Sequence, residues 1–497
     1  MKKEIEMGSL ISILIGAILL TSYMLFHNLG SGYLISTDEA YHATNAYEMY
    51  KQSNWVINTY KYAADYFNSK PPLCLDLMVA SFKVFGEGAF AARFPSALGG
   101  LLTLAAIILY LIKRDNLYSA VIFPFVFAAC TPFFTFHMYR AAEMDSFFNL
   151  FFVIAMFSLY ETEKNAKCMY LYGISLGLAF MCKGPHAALI FIIGLLYIPK
   201  IKDAFKSPVR VIVSALLAAL LPVAWMVKRS MFDGMEFINT LMFGETVDRV
   251  SESDNSFLEP VTDFVTSNVM VVFLVAAVSI VVAVLVIKHH TGKKYTSVIR
   301  DFFSENYLFI IWTVIPVLFF AAMGSYLKWY IYTSLLALCI LVARMCGFIA
   351  ARCTGRKIII PGVLLGIVIA AALFFIIPCI RNDINLAGTG GHPVDQFVAD
   401  MQDFAAQYGK EYSGRNVYLI SEFRDYSKQG HWEPEYVAPA EMYCDFLPVD
   451  GTVENFLHDE GSLIIVDKDL WDQYSADLAG HVILSDNSYL IFSSDMY

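Results

Sequence analysis

The chain has 497 residues, 57% of them hydrophobic and only 16% charged, with a mean hydropathy of +0.55. Soluble domains carry about 25% charged residues, so this composition excludes an ordinary soluble fold, and the net charge of −10 argues against nucleic acid as a partner. The charge is also split: residues 381–497 hold 6 Lys/Arg against 21 Asp/Glu, a net of −15, and the preceding residues carry +5.

The start, MKKEIEMG, leads into an apolar run without a small-residue cleavage pattern, which predicts a retained first helix. Runs long enough for a bilayer core of about 30 Å follow in order. They lie near 9–27, 95–112, 118–136, 145–160, 169–182, 186–199, 208–227, 264–287, 307–323, 330–349 and 357–380, eleven in all. The expected fold is a polytopic α-helical membrane protein of about 11–13 transmembrane helices over residues 1–380, with a small soluble α/β domain over 381–497. With the N-terminus cytoplasmic, the inside loops hold Lys113–Arg114, Lys164 and Lys167, PKIKDAFKSPVR, KHHTGKK and RCTGRK, all basic, as the positive-inside rule requires. The odd span count then places the acidic C-terminal domain outside the plasma membrane, together with the loops 28–94, 137–144, 183–185, 228–263 and 324–329.

Within the first outside loop, S-T-D-E before AYHATNAYEMY reads as a helix start, and PPLCLDLMVASFKVFG as a helix with one apolar face, lying along the membrane surface or dipping into it. In the tail, Val394, Phe397, Val398, Met401, Phe404 and Ala405 form a helical stripe that ends at Gly409. RNVYLIS, SLIIVD, HVILS and SYLIFSS read as strands. Of nine cysteines only Cys444 lies in this tail, so no disulfide can form within it.

Ionisable residues gather on the outer loops: Asp38, Glu39, Lys70, Arg93, Arg140, Glu143, Asp145, Lys183, Arg249 and Lys328. Charges at a membrane edge are costly and mark substrate paths. Two carboxylates suit a general base or a divalent-cation site, and several Lys and Arg suit a phosphate. A phosphate beside an apolar groove suggests a lipid phosphate. Tyr41, Tyr47, Trp55, Tyr60, Tyr62, Tyr66, Trp329 and Tyr330 suit stacking on sugar rings, or an interfacial aromatic belt.

The order D-E-x-x-x-A at 38–43, N-W at 54–55, K-P-P-L at 70–73 and FKVFGEGAFAARFPSAL at 82–98 resembles the opening of the GT-C membrane glycosyltransferases. The branch it most resembles includes the aminoarabinose transferase of lipid A and the protein O-mannosyltransferases. R-A-A-E-M-D at 140–145, C-K-G-P at 182–185, FGETVDR at 243–249 and SYLKWYIY at 325–332 follow in the family's order, so the resemblance spans roughly residues 30–335. It implies an inverting transfer of a sugar from a polyprenyl-phosphate donor to an envelope glycan, glycolipid or protein. By this resemblance Asp38 is the base or acceptor-orienting carboxylate, Asp145 a second carboxylate and Lys70 the contact to the leaving lipid phosphate. Arg249, Lys183 and Lys328 help neutralise that phosphate. Glu39, Tyr41, His42, Arg140 and Glu143 are candidate substrate contacts. Tyr41 stands where the aminoarabinose enzymes have arginine, and Ser69 where they have glutamate before K-P-P. Both departures point to a different donor preference. The competing reading, a transporter or flippase of lipid-linked or anionic solutes, requires charges buried in mid-span and helices broken at matching positions in two halves.

Overall fold

A computed structural model describes residues 2–34, 36–248, 256–291, 295–323, 326–353, 359–421 and 430–496. Each of the eleven expected apolar segments contains a helix. They begin with α1 (Lys2–Phe26), which is followed by two helices of the long loop after it, α2 (Thr37–Lys51) and α3 (Leu73–Phe85). Then come α4 (Ala89–Arg114), α5 (Leu117–Ala129), the short turn α6 (Pro132–Thr135), α7 (Asp145–Glu161), α8 (Cys168–Lys183), α9 (Ala188–Ile201) and α10 (Pro208–Asp233). Helices Asn268–Thr291, Tyr307–Ala322, Tyr332–Ala350 and Ile359–Cys379 complete the bundle.

By length and apolarity, six helical stretches among the described residues are long enough to cross a bilayer, and a seventh is a pair bent by 54° at residues 266–267. One of the six, Cys168–Lys206, is broken at Gly184–Ala187 between α8 and α9, and the Tyr172 hydroxyl donates to the Ile190 carbonyl at 3.0 Å across that break. The expected span at 118–136 is only partly helical. A thirteen-residue helix ends at Ala129, and Pro132 starts the separate turn α6. Leu216, Leu220, Val223 and Val227 of α10 stay exposed, the apolar surface of an integral membrane protein.

The bundle has two chemically distinct ends. Arg114 pairs with Glu161, Tyr197 meets Glu163, and Arg344 donates to Asn306 at 2.6 Å, which ties neighbouring helices together at one end. Asp145 meets Lys183, Arg140 meets the last turn of α1, and Arg229 meets Asn58 at the other. Of the basic loops expected on one side, residues 292–294 of KHHTGKK and 354–357 of RCTGRK lie outside the described residues.

At the second end sits the C-terminal domain. Strands β1 (Thr59–Tyr60) and β2 (Ala63–Ala64) form a small hairpin in the first loop. The domain's sheet comprises β3 (Asn416–Ile420), β4 (Leu447–Pro448), β5 (Leu463–Asp467), β6 (His481–Asp486) and β7 (Tyr489–Met496) in the order β4-β3-β5-β7-β6. β4, β3 and β5 are parallel, while β7 and β6 add antiparallel. Alternate residues supply two cores: Val417, Leu419, Leu463 and Ile465 face helices Pro393–Tyr408 and Pro434–Cys444, and Tyr418, Ile420, Ile464 and Val466 face the opposite layer. The helix Pro434–Cys444 and the short strand β4 carry no periodic apolar signal and were not expected.

Helices α8 and α10 approach closely because Gly173 and Gly177 face the backbone at Ser214 and Ala218. A Cβ at either glycine would run into a carbonyl oxygen of α10. Gly177→Val is expected to cost about 1–3 kcal/mol of stability and to lower the melting temperature in detergent. Gly362→Val, with no atom within 4 Å of its Cβ position, should leave the melting temperature unchanged.

Candidate active site

Helix α2 starts because Ser36 caps it: its hydroxyl accepts the Glu39 N–H at 3.1 Å from an extended backbone. The next residues then diverge. Asp38 is exposed to a cavity, whereas Glu39 points inward and is fully buried. The Arg93 guanidinium of α4 grips Glu39 through Nε at 2.7 Å and Nη2 at 3.1 Å, and the Ala142 N–H donates to it at 2.8 Å. Arg93 also donates to the carbonyls of Leu29, Ser31 and Tyr33. Glu39 therefore ties α2, α4 and the α6–α7 loop together, and its carboxylate is withdrawn from the cavity.

The cavity holds about 410 Å³. Asp38, Tyr41, His42, Lys70, Glu143, Asp145 and Lys183 all line it, drawn from α2, the segment before α3, the α6–α7 loop and the α8–α9 turn. Tyr66, Trp329 and Tyr330, three of the aromatic residues singled out in the sequence, line it as well. Tyr47 instead packs fully buried in α2, and Trp55 lies under Lys83, 4.4 Å from its ring centre. Lys328 is exposed and outside the lining, although its neighbours Leu327 and Trp329 are part of it. Arg249 lies outside the described residues. Arg140 donates to the Met24 and Leu25 carbonyls at 2.8 and 3.2 Å and faces a second cavity.

Lys70 is delivered by a buried polar network. Asn68 donates to Asn45 at 2.7 Å, Asn45 to Asp65 at 3.0 Å, Asn58 to the Asn68 carbonyl at 2.7 Å, and Arg229 to Asn58 at 3.0 Å. The β1–β2 turn has left-handed φ at both Lys61 (52°) and Tyr62 (59°), a geometry that favours Gly or Asn. It is held by Glu48, which accepts the Tyr62 N–H at 2.8 Å.

Opposite Asp38 lie two buried charge clusters. Asp145 and Lys183 are 2.6 Å apart, and the Lys183 ammonium sits 5.1 Å from the centre of the Tyr330 ring. Glu143 lies between two imidazoles, at 3.2 Å from His42 and 2.8 Å from His137. His137 has a left-handed φ of 51° and stacks on Trp329, with ring centres 3.7 Å apart. Strained backbone of this kind concentrates at functional sites. His137 was not expected; the spacing H-x-x-R-x-x-E-x-D from 137 to 145 was its only sequence signal.

Burial works against charge on both histidines and on Glu143, but their mutual attraction outweighs it. His42 and His137 titrate above 6.5, and Glu143 lies far below 4.5. For the raised histidines, the stabilisation is complete below 6.5 and is lost as pH rises through their folded values. For the depressed Glu143, it is complete above 4.5 and is lost as pH falls through its folded value. The cluster thus stabilises the fold most between 4.5 and 6.5. Glu143→Gln should cost about 3–5 kcal/mol in that window. The melting-temperature gap to wild type should narrow as pH is raised toward 9; a gap constant from pH 5 to 9 would contradict a charged cluster.

Residues 69–227 match the family model of dolichyl-phosphate-mannose-protein mannosyltransferases. Over its whole length the chain superposes on ArnT from Cupriavidus metallidurans bound to undecaprenyl phosphate. The TM-score is 0.71, with 98% of each chain covered at 13% identity. The chain shares the fold of this ArnT. The apo form of the same ArnT matches with the same TM-score of 0.71 at 14% identity, covering 99% of this chain and 98% of that one. An uncharacterized protein of Aquifex aeolicus (strain VF5) is 26% identical over 185 residues, a match that spans 36% of that relative's length and 35% of this chain. In this ArnT-like fold, the ionisable cavity occupies the end of the bundle that carries the C-terminal domain.

Proposed function

We propose that the protein transfers a sugar from a polyprenyl-phosphate donor to a cell-envelope glycan, glycolipid or protein at the extracytoplasmic face of the plasma membrane. The observation that carries this reading is the convergence of Asp38, Lys70, Asp145 and Lys183 on one cavity beside an apolar groove. The groove, about 680 Å³ between α8, α9 and α10, is lined almost wholly by apolar side chains and ends at Pro185 and Met242. Those residues adjoin Lys183, Thr240 and Gly244 at the cavity. The groove suits a polyprenyl tail, and the cavity suits its phosphate and sugar. The undecaprenyl phosphate of the matched ArnT supports the same assignment.

In the proposed reaction the acceptor oxygen attacks the anomeric carbon while Asp38 draws off the hydroxyl proton. The bond from that carbon to the phosphate oxygen breaks, and the electron pair leaves on the polyprenyl phosphate. Lys70 and Lys183 stabilise the charge that develops there, Lys183 sharing its ammonium between Asp145 and the phosphate. Polyprenyl phosphate leaves readily, so the site's task is positioning and charge stabilisation. A single displacement inverts the anomeric centre. The family resemblance adds Arg249 and Lys328 as further phosphate contacts. Tyr41, packed against Tyr60 and Phe67 at ring distances of 4.4 and 5.4 Å, gives the donor's sugar an aromatic wall where the aminoarabinose branch has arginine. A transporter would need this charge buried in mid-span; clustering at one end of the bundle supports the transferase.

Asp38→Asn tests the reading in purified protein supplied with lipid-linked sugars extracted from the source cells. Transfer should fall by about 10²–10⁴-fold with an unchanged melting temperature, because Asp38 is exposed. Turnover near the wild-type rate would remove Asp38 from the chemistry. A reporter fused after Tyr497 is expected outside the cytoplasm, and a cytoplasmic signal would overturn the orientation.

A further inference from the structure

Lined in part by His137 and Ser36 is a second cavity, of about 250 Å³, at the junction of α1, the α6–α7 loop and the segment that follows helix Ile359–Cys379. Its lining is charged but unevenly used. Arg93 is already committed to Glu39 and three carbonyls. Arg140 spends only Nη1, on the two carbonyls that end α1. Its Nε and Nη2 groups have no partner among the described residues, and it forms no ion pair with a described carboxylate. Burial, then the repulsion of Arg93, lowers its pKa to about 10, so it stays a cation at neutral pH. Two carboxylates, Asp383 and Asp395, line the same chamber without pairing with it. Asp395 accepts the Tyr33 N–H at 2.8 Å through one oxygen.

A separated cation and anion facing one small chamber match a ligand that carries both charges. Asp383 also lines a neighbouring apolar groove of about 660 Å³. Leu373, Phe374, Phe375 and Ile377 of the last membrane helix form that groove, and the Phe374 side chain is 74% exposed. Polar chamber and apolar groove thus meet at the membrane edge, as a headgroup and its acyl chains do.

We infer that this chamber binds the headgroup of a zwitterionic phospholipid of the phosphoethanolamine class, with the phosphate on Arg140 and the ammonium on Asp383, and with the acyl chains along helix Ile359–Cys379. The site is separate from the donor cavity and does not depend on the proposed reaction. Charge-assisted hydrogen bonds give the selectivity. A headgroup lacking the ammonium leaves Asp383 facing the phosphate without a cation between them.

Native mass spectrometry of the full chain in detergent tests this, with phosphatidylethanolamine and phosphatidylglycerol of identical acyl chains in competition and soluble phosphoethanolamine as a third arm. Wild type should retain phosphatidylethanolamine with roughly tenfold preference, the value of one charge-assisted contact. Arg140→Gln should lower its retention by a similar factor, and Asp383→Asn should erase the preference. Equal retention of the two lipids by wild type would overturn the inference. So would soluble phosphoethanolamine binding as well as the lipid, since the occupant would then be a free solute. An Arg140→Gln protein that melts normally and retains the lipid unchanged would overturn it too. Should Arg140→Gln fail to fold, Asp383→Asn decides alone: a lost preference supports the site, and a kept one refutes it.

Discussion

The buried pair between Glu39 and Arg93 is the contact on which the site's geometry depends. Burying two charges is costly, and it is tolerated only where geometry and extra hydrogen bonds satisfy both. Here Arg93 donates to Glu39 and to the backbone carbonyls of Leu29, Ser31 and Tyr33, and Glu39 also accepts the Ala142 N–H. That one cluster fixes the entry to α2, its seat on α4 and the loop that carries Glu143 and Asp145. With Glu39 anchored inward, the first turn of α2 must present Asp38 to the cavity. The adjacent carboxylates thus divide into a fixed point, Glu39, and a cavity-facing group, Asp38, which is the base in the proposed reaction.

The C-terminal domain holds the other side of α2. Thr37, next to Asp38, donates to Glu435 at 3.0 Å, and the Tyr47 hydroxyl donates to the Glu441 carbonyl at 2.9 Å. Lys51 and Lys61 pair with Asp445 and Asp450 at 2.6 and 2.7 Å. The acidic tail is thus clamped to a basic rim of the first loop. The contact also buries Glu441 against Glu48. Burial, and then their mutual repulsion, push Glu441 far above the ordinary carboxyl range, and Glu48 is pushed up to about 7, chiefly by burial. The junction is firmest when that pair holds a proton.

Much of this was legible in the sequence. Eleven apolar runs, the basic loops between them and the alternating strands of the tail follow from periodicity and charge alone, because lipid exposure and sheet burial select residue type position by position. In the sequence, Asp38, Lys70, Asp145 and Lys183 stand out by their place in loops between apolar runs and by the family resemblance; their meeting at one cavity is visible only in the fold. What stayed hidden depends on contacts across the chain. The network Asn45–Asp65–Asn68–Asn58–Arg229 spans loop and helix with ordinary polar residues. His137 gains its importance from a stack on Trp329, 192 positions away in the chain. The fate of Arg140, beside a second chamber rather than the first, was set by the carbonyls that end α1.

The most direct test of the account is equilibrium binding of a polyprenyl phosphate to the purified protein, with Lys70→Ala and the phosphate-free polyprenol as comparisons. Wild type should bind saturably. Loss of either the ammonium or the phosphate should weaken binding by roughly tenfold or more, the worth of a charge-assisted contact in a partly buried site. Equal affinity for the phosphorylated and phosphate-free lipids, or an unchanged affinity in Lys70→Ala, would contradict the assignment of this cavity to a lipid-phosphate donor.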